Sequence, residues 1–276
     1  MAQAVSTRTR GGIAPLPPGS QVNLAKFDPD YTAGYAKGTP EVEQKLAADL
    51  AAMCGWQEKL YAESQRALLI VLQGMDGAGK DGTISHVMRG LNPQSCDVVP
   101  FKEPTPPELA HDFLWRIHQQ TPARGHLVVF NRSHYEDVLV VRVHQLVPEK
   151  VWRARYEQIN NFEAMLAANG TRILKFFLHL SKAEQEERLE ARRDDPTKQW
   201  KLSPTDEPER KFWNQYVAAN EEALSRCSTA VAPWYVIPAN HKWYRNLAVA
   251  EIIAKTLAEM KPQWPKGNAE VGSGKS

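Results

Sequence analysis

The stretch Leu68–Ile84, which reads LLIVLQGMDGAGKDGTI, decides the fold. Its first half is a short apolar run typical of a strand buried on both faces, and its glycine-rich second half opens a predicted helix at Lys80. Gly74, Gly79 and Lys80 match the GxxxxGK pattern of a phosphate-binding loop. In such a loop the curled backbone directs N–H groups at an anion, the helix adds its positive end, and the lysine adds a mobile charge.

One position departs from that pattern, because Asp81 stands where a serine or threonine usually reaches magnesium. Its carboxylate either caps the helix that starts at Lys80 or makes an outer-shell contact with a metal ion. The loop also contains the dinucleotide fingerprint GxGxxG, but the lysine between its glycines favours a phosphate loop. The residues predicted to contact phosphate here are Gly74, Gly77, Ala78, Gly79, Lys80, Asp81 and Gly82.

A second polar motif follows the apolar run Leu127–Phe130, where Asn131–Asp137 reads NRSHYED. In phosphate-loop folds, an acid that helps to hold magnesium lies just beyond a neighbouring strand, because the ligand crevice lies there. We therefore expect Asp76 and Asp137 to meet at one magnesium ion and Arg132 to bind a phosphate. The alternative is an ordinary polar turn in which Ser133 or Asp137 caps a helix and Arg132 is solvated.

A highly charged segment, Glu187–Asp206, combines a predicted helix with a basic and aromatic loop. Arg188 and Arg192 are like charges one helical turn apart, and two acids follow where the helix dipole disfavours them, each at a cost of a few tenths of a kcal/mol. An anion between the arginines would explain this pattern. We predict a lid over residues 182–206, joined by Lys198 and Lys201, with a solvated helix as the alternative.

Short apolar runs alternate with longer amphipathic stretches, which predicts an α/β fold with a parallel five-stranded sheet and helices on both faces. The predicted strands are Leu68–Gln73, Asp97–Phe101, Leu127–Phe130, Ile173–Leu180 and Trp234–Ile237. The predicted helices are Pro40–Ser64, Lys80–Arg89, Pro107–Gln119, Glu149–Ala168, Lys182–Arg193, Glu207–Arg226 and Tyr244–Met260. We expect residues 1–40 to form an extended arm anchored by Phe27 and Tyr31, residues 41–262 to form the catalytic domain, and residues 263–276 to form a flexible tail.

Composition excludes several classes of protein. The 276 residues include 34 Lys and Arg against 32 Asp and Glu, and a formal net charge of +2 argues against binding to nucleic acid or to an anionic membrane. The longest apolar run is far shorter than the roughly 20 residues of a transmembrane helix, and no signal peptide pattern is present, which predicts a cytoplasmic protein. Three cysteines without ligand spacing indicate neither a disulfide framework nor a structural zinc site.

Three segments together carry a family resemblance: GMDGAGKDGTI from Gly74, FNRSHYEDVLVVRVH from Phe130 and RLEARRDDPTKQWKLSPTD from Arg188. They resemble, in the same order, the phosphate loop, second acidic motif and lid of the polyphosphate kinase 2 family. The resemblance implies a P-loop kinase-like three-layer fold with a helical lid and a homo-oligomer. It also implies reversible, Mg²⁺-dependent transfer of the terminal phosphate of inorganic polyphosphate to AMP or ADP, giving ADP or ATP, with Mn²⁺ as a substitute metal.

The resemblance also assigns roles to residues. It implies Asp76 and Asp137 as the magnesium carboxylates, Lys80 and Arg132 as phosphate binders, and Arg188 and Arg192 as lid arginines. The HYEDVL form of the second motif resembles class III of the family, which accepts both AMP and ADP, so Glu136 is expected to select the acceptor. Asp81 is ordinary for this family.

Three other functions remain as alternatives. An ATP-dependent nucleotide or nucleoside kinase would share the loop and the fold. An NAD-dependent oxidoreductase would use the dinucleotide fingerprint. A regulatory module that binds nucleotides without turnover would keep the loop but transfer no phosphate.

Overall fold

A five-stranded parallel sheet organises the computed structural model, which describes residues 8–9, 12–201 and 206–266. Its strands lie in the order β4-β5-β3-β6-β7. Every neighbouring pair in this sheet is parallel, as expected for continuous apolar runs buried on both faces. The strands of the sheet are β3 (Ala67–Gly74), β4 (Cys96–Pro100), β5 (Leu127–Asn131), β6 (Thr171–His179) and β7 (Trp234–Pro238), and the short antiparallel strands β1 (Arg8–Thr9) and β2 (Gly12–Ile13) precede them.

Helices cover both faces of this sheet. The helices are α1 (Pro40–Glu63), α2 (Lys80–Val87), α3 (Pro106–Leu109), α4 (Trp115–His118), α5 (Glu136–Val143), α6 (Glu149–Ala168), α7 (Lys182–Asp194), α8 (Asp206–Arg210), α9 (Trp213–Cys227) and α10 (Lys242–Met260), with 3-10 turns at Leu24–Lys26 and Gln199–Lys201. None of the helices in the described ranges is long and apolar enough to cross a membrane.

The side chains of β3 point alternately to the two faces of the sheet, and each face packs against its own layer of core residues. Leu68, Ile70 and Leu72 pack with α1, α2 and α10 on one face of the sheet. Leu69 and Val71 pack with α5, α6 and α9 on the other face. Because successive strand residues point to opposite faces, one apolar run serves both layers. The three-layer α/β architecture and the five predicted strands are confirmed.

Two predicted helices are each divided in the structure, and one helix was missed. The stretch predicted as Pro107–Gln119 contains α3 and α4, separated by a turn in which Asp112 Oδ1 accepts from Leu114 N at 2.9 Å. The stretch predicted as Glu207–Arg226 contains α8 and α9, because the tight bonds Lys211 N to Pro208 O and Phe212 N to Glu209 O close α8. Helix α5 was not predicted, since its eight residues are too few to show a helical period.

The amino-terminal segment packs on the sheet through two buried leucines as well as through the two expected anchors. Leu16 and Leu24 are almost fully buried, and Leu16 N donates to Trp234 O at 2.8 Å. Phe27 and Tyr31 are partly buried against the core. Leu16 and Leu24 carry no helical or strand period, so the sequence pattern did not single them out.

The core also contains a buried ion pair. Lys175 on β6 and Glu163 on α6 are fully buried, and their Nζ and Oε2 atoms lie 2.5 Å apart. Tyr135, which lies within the second polar motif, donates from its hydroxyl to Glu163 Oε1 at 2.9 Å and accepts from Lys175 Nζ at 2.8 Å. Burial alone would raise the pKa of Glu163, but Lys175 and His134 outweigh it and hold that pKa below its usual range.

Glu163→Gln is expected to lower the free energy of unfolding by about 3–5 kcal/mol, because it leaves the Lys175 ammonium buried without a counter-charge. Urea denaturation at pH 7 measures the loss. The double variant Glu163→Leu/Lys175→Met removes both charges and is expected to unfold at higher urea concentration than Glu163→Gln. A single variant within about 1 kcal/mol of the native protein would contradict this account of the pair.

Candidate active site

The glycine loop lies between β3 and α2. Strand β3 is at the centre of the sheet, with β5 and β4 on one side and β6 and β7 on the other, so the strand order reverses there. Ligands of open α/β sheets bind at the carboxyl ends of the strands near such a switch point. Gly79 adopts φ +95, and a Cβ atom there would overlap Arg245 Nη1. Gly74 packs so closely on β6 that its Cβ would lie 2.8 Å from Leu178 O. Glycine is required at both positions.

Every carbonyl of the loop from Gly74 to Ala78 has a hydrogen-bond donor. Lys80 Nζ donates to Gly74 O at 2.8 Å, and Ala78 N donates to Met75 O at 3.0 Å. Gln185 Nε2 donates to Asp76 O at 2.7 Å, and Arg188 Nη1 donates to Gly77 O at 3.0 Å and to Ala78 O at 3.2 Å. These bonds fix the direction of the peptide groups, which supports the predicted use of their N–H groups in binding an anion.

Lys80 is folded over the loop and is only 8% exposed. Burial, together with the charge of Arg132, lowers the pKa of Lys80 to about 8, although Asp76, Glu136 and Asp81 act in the opposite direction. An incoming anion would favour the charged form. Binding of an anion to the loop is therefore expected to raise the fraction of Lys80 that is protonated.

Arg132 joins the glycine loop to the second polar motif. It follows β5 with φ +65, and its Nη2 lies 2.6 Å from Asp76 Oδ1 while its Nη1 lies 3.5 Å from Glu136 Oε2. Burial would raise the pKa of Asp76, but Lys80, Arg132 and Arg192 together hold it below its usual range. Two carboxylates and two predicted phosphate binders therefore meet at the ends of β3 and β5.

Asp137 lies apart from this group. Its Oδ1 is 3.2 Å from Arg155 Nη1, its side chain is 13% exposed, and it does not line the pocket that Asp76, Arg132 and Glu136 share. Burial raises the pKa of Asp137 to about 6, against the effects of Arg155 and Arg116. The structure thus pairs Asp76 and Asp137 with different arginines, contrary to the expectation that the two carboxylates meet.

Asp81 faces the end of β5. Its Oδ1 accepts from Asn131 Nδ2 at 2.8 Å, and the residue at the cap position of α2 is Gly79. No capping bond from the Asp81 side chain is present among the described residues of α2. Asp81 therefore links the first turn of α2 to the second polar motif.

Arg188 is placed differently from the expected lid arginine. Its Nε pairs with Glu184 at 2.7 Å, and its two terminal nitrogens donate to the carbonyls of Gly77, Ala78, Ala239 and Asn240. A guanidinium has five N–H groups, and each of these five contacts occupies one of them. Arg188 is 7% exposed, so it holds the loop in place from beneath rather than presenting a charge to a ligand.

The remaining lid residues differ from Arg188. Arg192 is half-buried, has no hydrogen bond or ion pair with any described residue, and lowers the pKa of Asp76 by its charge. Lys198 is exposed and pairs with Asp195. The side chain of Lys201 lies outside the described residues. Of the two predicted lid arginines, Arg192 is therefore the one whose charge acts on Asp76.

Helix α9 forms a wall of the pocket that the sequence did not reveal. Trp213, Tyr216 and Asn220 line the same pocket as Asp76 and Arg132. Burial and Glu209 raise the pKa of Tyr216, whose hydroxyl donates to Glu209 Oε2 at 2.9 Å. Three polar or aromatic residues at spacings of three and four are typical of any amphipathic helix, so only the fold shows that they face the loop.

The carboxylates of the pocket fit a divalent metal that is held together with a phosphate. Within the described ranges, no group of three or more His, Cys, Asp and Glu side chains is placed to bind a metal. Magnesium is usually bound by one or two carboxylates, with water and substrate phosphate completing its shell. Asp76 and Glu136, which both contact Arg132, satisfy that requirement.

Comparisons with known proteins show what this chain is similar to. A family model described as polyphosphate kinase 2 matches residues 37–265. The chain is 51% identical over 249 residues to the AMP/ADP-polyphosphate phosphotransferase of Meiothermus ruber, covering 90% of this chain and 93% of that protein. It is 44% identical over 260 residues to the ADP-polyphosphate phosphotransferase of Rhodopseudomonas palustris, covering 90% of each.

A solved structure shows the same fold. The crystal structure of polyphosphate kinase 2 from Arthrobacter aurescens TC1 superposes with a TM-score of 0.90 at 43% identity. The match covers 98% of this chain and 96% of that one.

The pKa of Lys80 predicts how anion binding depends on pH. Because this pKa lies near 8 instead of 10.5, the charge of Lys80 is present below about pH 8 and is lost as pH rises through that value. The dissociation constant of sulfate, whose own charge does not change in this range, is expected to rise about tenfold per pH unit above that point. Calorimetry at constant ionic strength measures it.

Lys80→Arg serves as the control for this prediction. Arginine stays charged, so the variant is expected to bind sulfate equally from about pH 7 to about pH 9.5. If sulfate affinity of the native protein is also constant over that range, Lys80 does not titrate as described.

Proposed function

Because this chain belongs to the polyphosphate kinase 2 family, we propose that it transfers the terminal phosphate of inorganic polyphosphate to AMP or ADP, giving ADP or ATP. The observation that carries this proposal is the meeting of Lys80, Arg132 and Asp76 around a glycine loop whose carbonyls are all held. The reaction is reversible, since the phosphoanhydride bond that breaks resembles the one that forms.

Positioning and electrostatics supply the catalysis in this proposal. Phosphoryl transfer passes through a loose in-line transition state whose charge lies on the peripheral oxygens. Lys80 and Arg132 are the cations that hold the donor chain and the acceptor phosphate, and the N–H groups of the loop orient the donor. Arg192, which is free of other partners among the described residues, approaches the phosphates from α7.

The proposed metal site uses the carboxylates that line the pocket. Asp76 and Glu136 would hold Mg²⁺, or Mn²⁺ in its place, which neutralises charge on the phosphate oxygens when bound. Asp137 suits this role less well, because it does not line the pocket and burial raises its pKa to about 6. We therefore assign to Glu136 the position that the second motif suggested for Asp137.

Movement of the lid is restricted by the contacts of α7. Gln185 and Arg188 bind the loop carbonyls, so the first two turns of α7 form part of the loop's support. Closure over the substrates then involves the chain beyond Arg188, including Arg192 and Lys198. This assignment explains how two arginines one helical turn apart have different roles.

An assay without ATP tests the function. Incubation of the protein with ADP or AMP, long-chain polyphosphate and Mg²⁺ is expected to produce ATP, detected by luciferase luminescence. Lys80→Ala is expected to lower turnover by about 10²–10³, as the loss of a group that stabilises oxyanions does. A protein that phosphorylates nucleotides only when a nucleoside triphosphate is the donor would refute the proposal in favour of an ATP-dependent kinase.

A matched pair of variants tests the metal site. Glu136→Gln is expected to raise the Mg²⁺ concentration needed for half-maximal rate by about 10–100-fold, because it removes a carboxylate beside Asp76. Asp137→Asn is expected to change that concentration by less than about threefold, since its carboxylate faces Arg155. The opposite order would restore Asp137 as the metal ligand. Melting temperatures of both variants separate metal binding from stability.

A further inference from the structure

A second buried arginine lies against the glycine loop and was not part of any sequence motif. Arg245, in the first turn of α10, is 2% exposed, and its Nη1 donates to Ala78 O at 3.2 Å. Its guanidinium occupies the space that side chains on the loop would need, since a Cβ on Gly79 would overlap it and a Cβ on Gly82 would lie 3.3 Å from its Nη2. Arg245 is therefore in van der Waals contact with the phosphate loop.

Arg188 shares this location. It donates to the same carbonyl, Ala78 O, also at 3.2 Å, and a Cβ on Gly79 would lie 3.6 Å from its Nη1. Two guanidinium groups are thus buried side by side under one peptide group. Burial and the charge of Arg188 lower the pKa of Arg245 to about 10, which still leaves Arg245 protonated at neutral pH.

Only one of these two arginines is paired with a carboxylate among the described residues. Arg188 is paired with Glu184, but Arg245 donates to neutral acceptors, namely Ala78 O and Asn246 Oδ1, the latter at 3.1 Å from Nε and 2.9 Å from Nη2. No ion pair of Arg245 with a carboxylate occurs in the parts of the chain that the structure describes. Buried charges are normally paired, as Lys175 is with Glu163 in this protein.

Hydrogen bonding alone does not account for a cation at this position. A neutral side chain with an amide group could donate a hydrogen bond to Ala78 O. It would also avoid the free-energy cost of burying a charge. In the proposed function, the N–H groups on the opposite side of the loop bind an anion, so a phosphate chain bound there would lie a single layer of backbone away from Arg245. In that low-dielectric setting the attraction between them is stronger than it would be in water.

We propose that Arg245 is a positioning residue of the phosphate loop whose missing counter-charge is the bound polyphosphate itself. This inference rests on the proposed function, because it takes the loop as the site of the phosphate chain. Arg245 does not touch the substrate; it places a fixed positive charge behind the backbone that does. The free protein bears the cost of the unpaired charge, and binding of the phosphate chain relieves it.

Asn246→Asp provides the most direct test, because it adds a carboxylate at the atom that already accepts two bonds from Arg245. Supplying this internal counter-charge is expected to raise the melting temperature of the free protein. It is also expected to weaken tripolyphosphate binding about tenfold, measured by calorimetry without nucleotide. A lower melting temperature together with native affinity would overturn the proposal.

Two substitutions of Arg245 separate charge from shape. Arg245→Gln keeps a donor but removes the charge, and it is expected to weaken tripolyphosphate binding by about tenfold or more. Arg245→Lys keeps the charge and is expected to stay within about threefold of the native affinity. Equal losses in both variants would show a packing role and overturn the proposal, as would native affinity in Arg245→Gln.

Arg66→Gln is the matched control, since Arg66 precedes β3 at the opposite end of the sheet and pairs with Glu63 at 2.8 Å. It is expected to leave tripolyphosphate affinity unchanged. If the native protein makes ATP from polyphosphate while Arg245→Gln binds tripolyphosphate normally, the inference about Arg245 fails and the proposed function stands. If the native protein neither binds tripolyphosphate nor uses polyphosphate as donor, both fail.

Discussion

The rest of the site depends on the way the carbonyl groups of the glycine loop are held. From Gly74 to Ala78 each carbonyl oxygen accepts a hydrogen bond, and most of the donors are side chains. Lys80 belongs to the helix that follows the loop, whereas Gln185, Arg188 and Arg245 come from distant elements. A peptide group has opposite ends, so fixing its oxygen also fixes the direction of its N–H. The loop that we propose to bind an anion is thus held in position by donors on its carbonyl side, before any ligand arrives.

Charge near the loop is divided among specific partners. Arg132 forms ion pairs with Asp76 and Glu136, which line the pocket, whereas Arg155 pairs with Asp137, which does not line it. A carboxylate with lowered pKa beside cations that also bind phosphate is suited to hold a metal together with its substrate. In the proposed metal site, the position of a carboxylate in the pocket therefore decides its role more than its place in the motif does.

The sequence was sufficient to predict the five strands and the glycine loop between β3 and α2, because both depend on local signals: continuous apolar runs, glycine spacing and one lysine. The roles of Arg188 and Arg192 could not be separated, because they occupy the same face of α7 and only the fold shows that the loop lies under Arg188 alone. The pocket wall from Tyr216 and the buried position of Arg245 depend on contacts with residues more than a hundred positions away. Such contacts leave no periodic signal in the chain.

The two buried cations of the core illustrate two different uses of charge. Lys175 is fully satisfied by Glu163, Tyr135 and a backbone carbonyl, and this closed network holds the segment that carries Arg132. Arg245 has only neutral acceptors among the described residues and lies against the loop where an anion is expected. A charge that is already paired can stabilise a structure but adds little attraction for a ligand, because its field is largely cancelled nearby. An unpaired charge lowers the stability of the free protein, and for the same reason it strengthens the binding of a ligand of opposite sign.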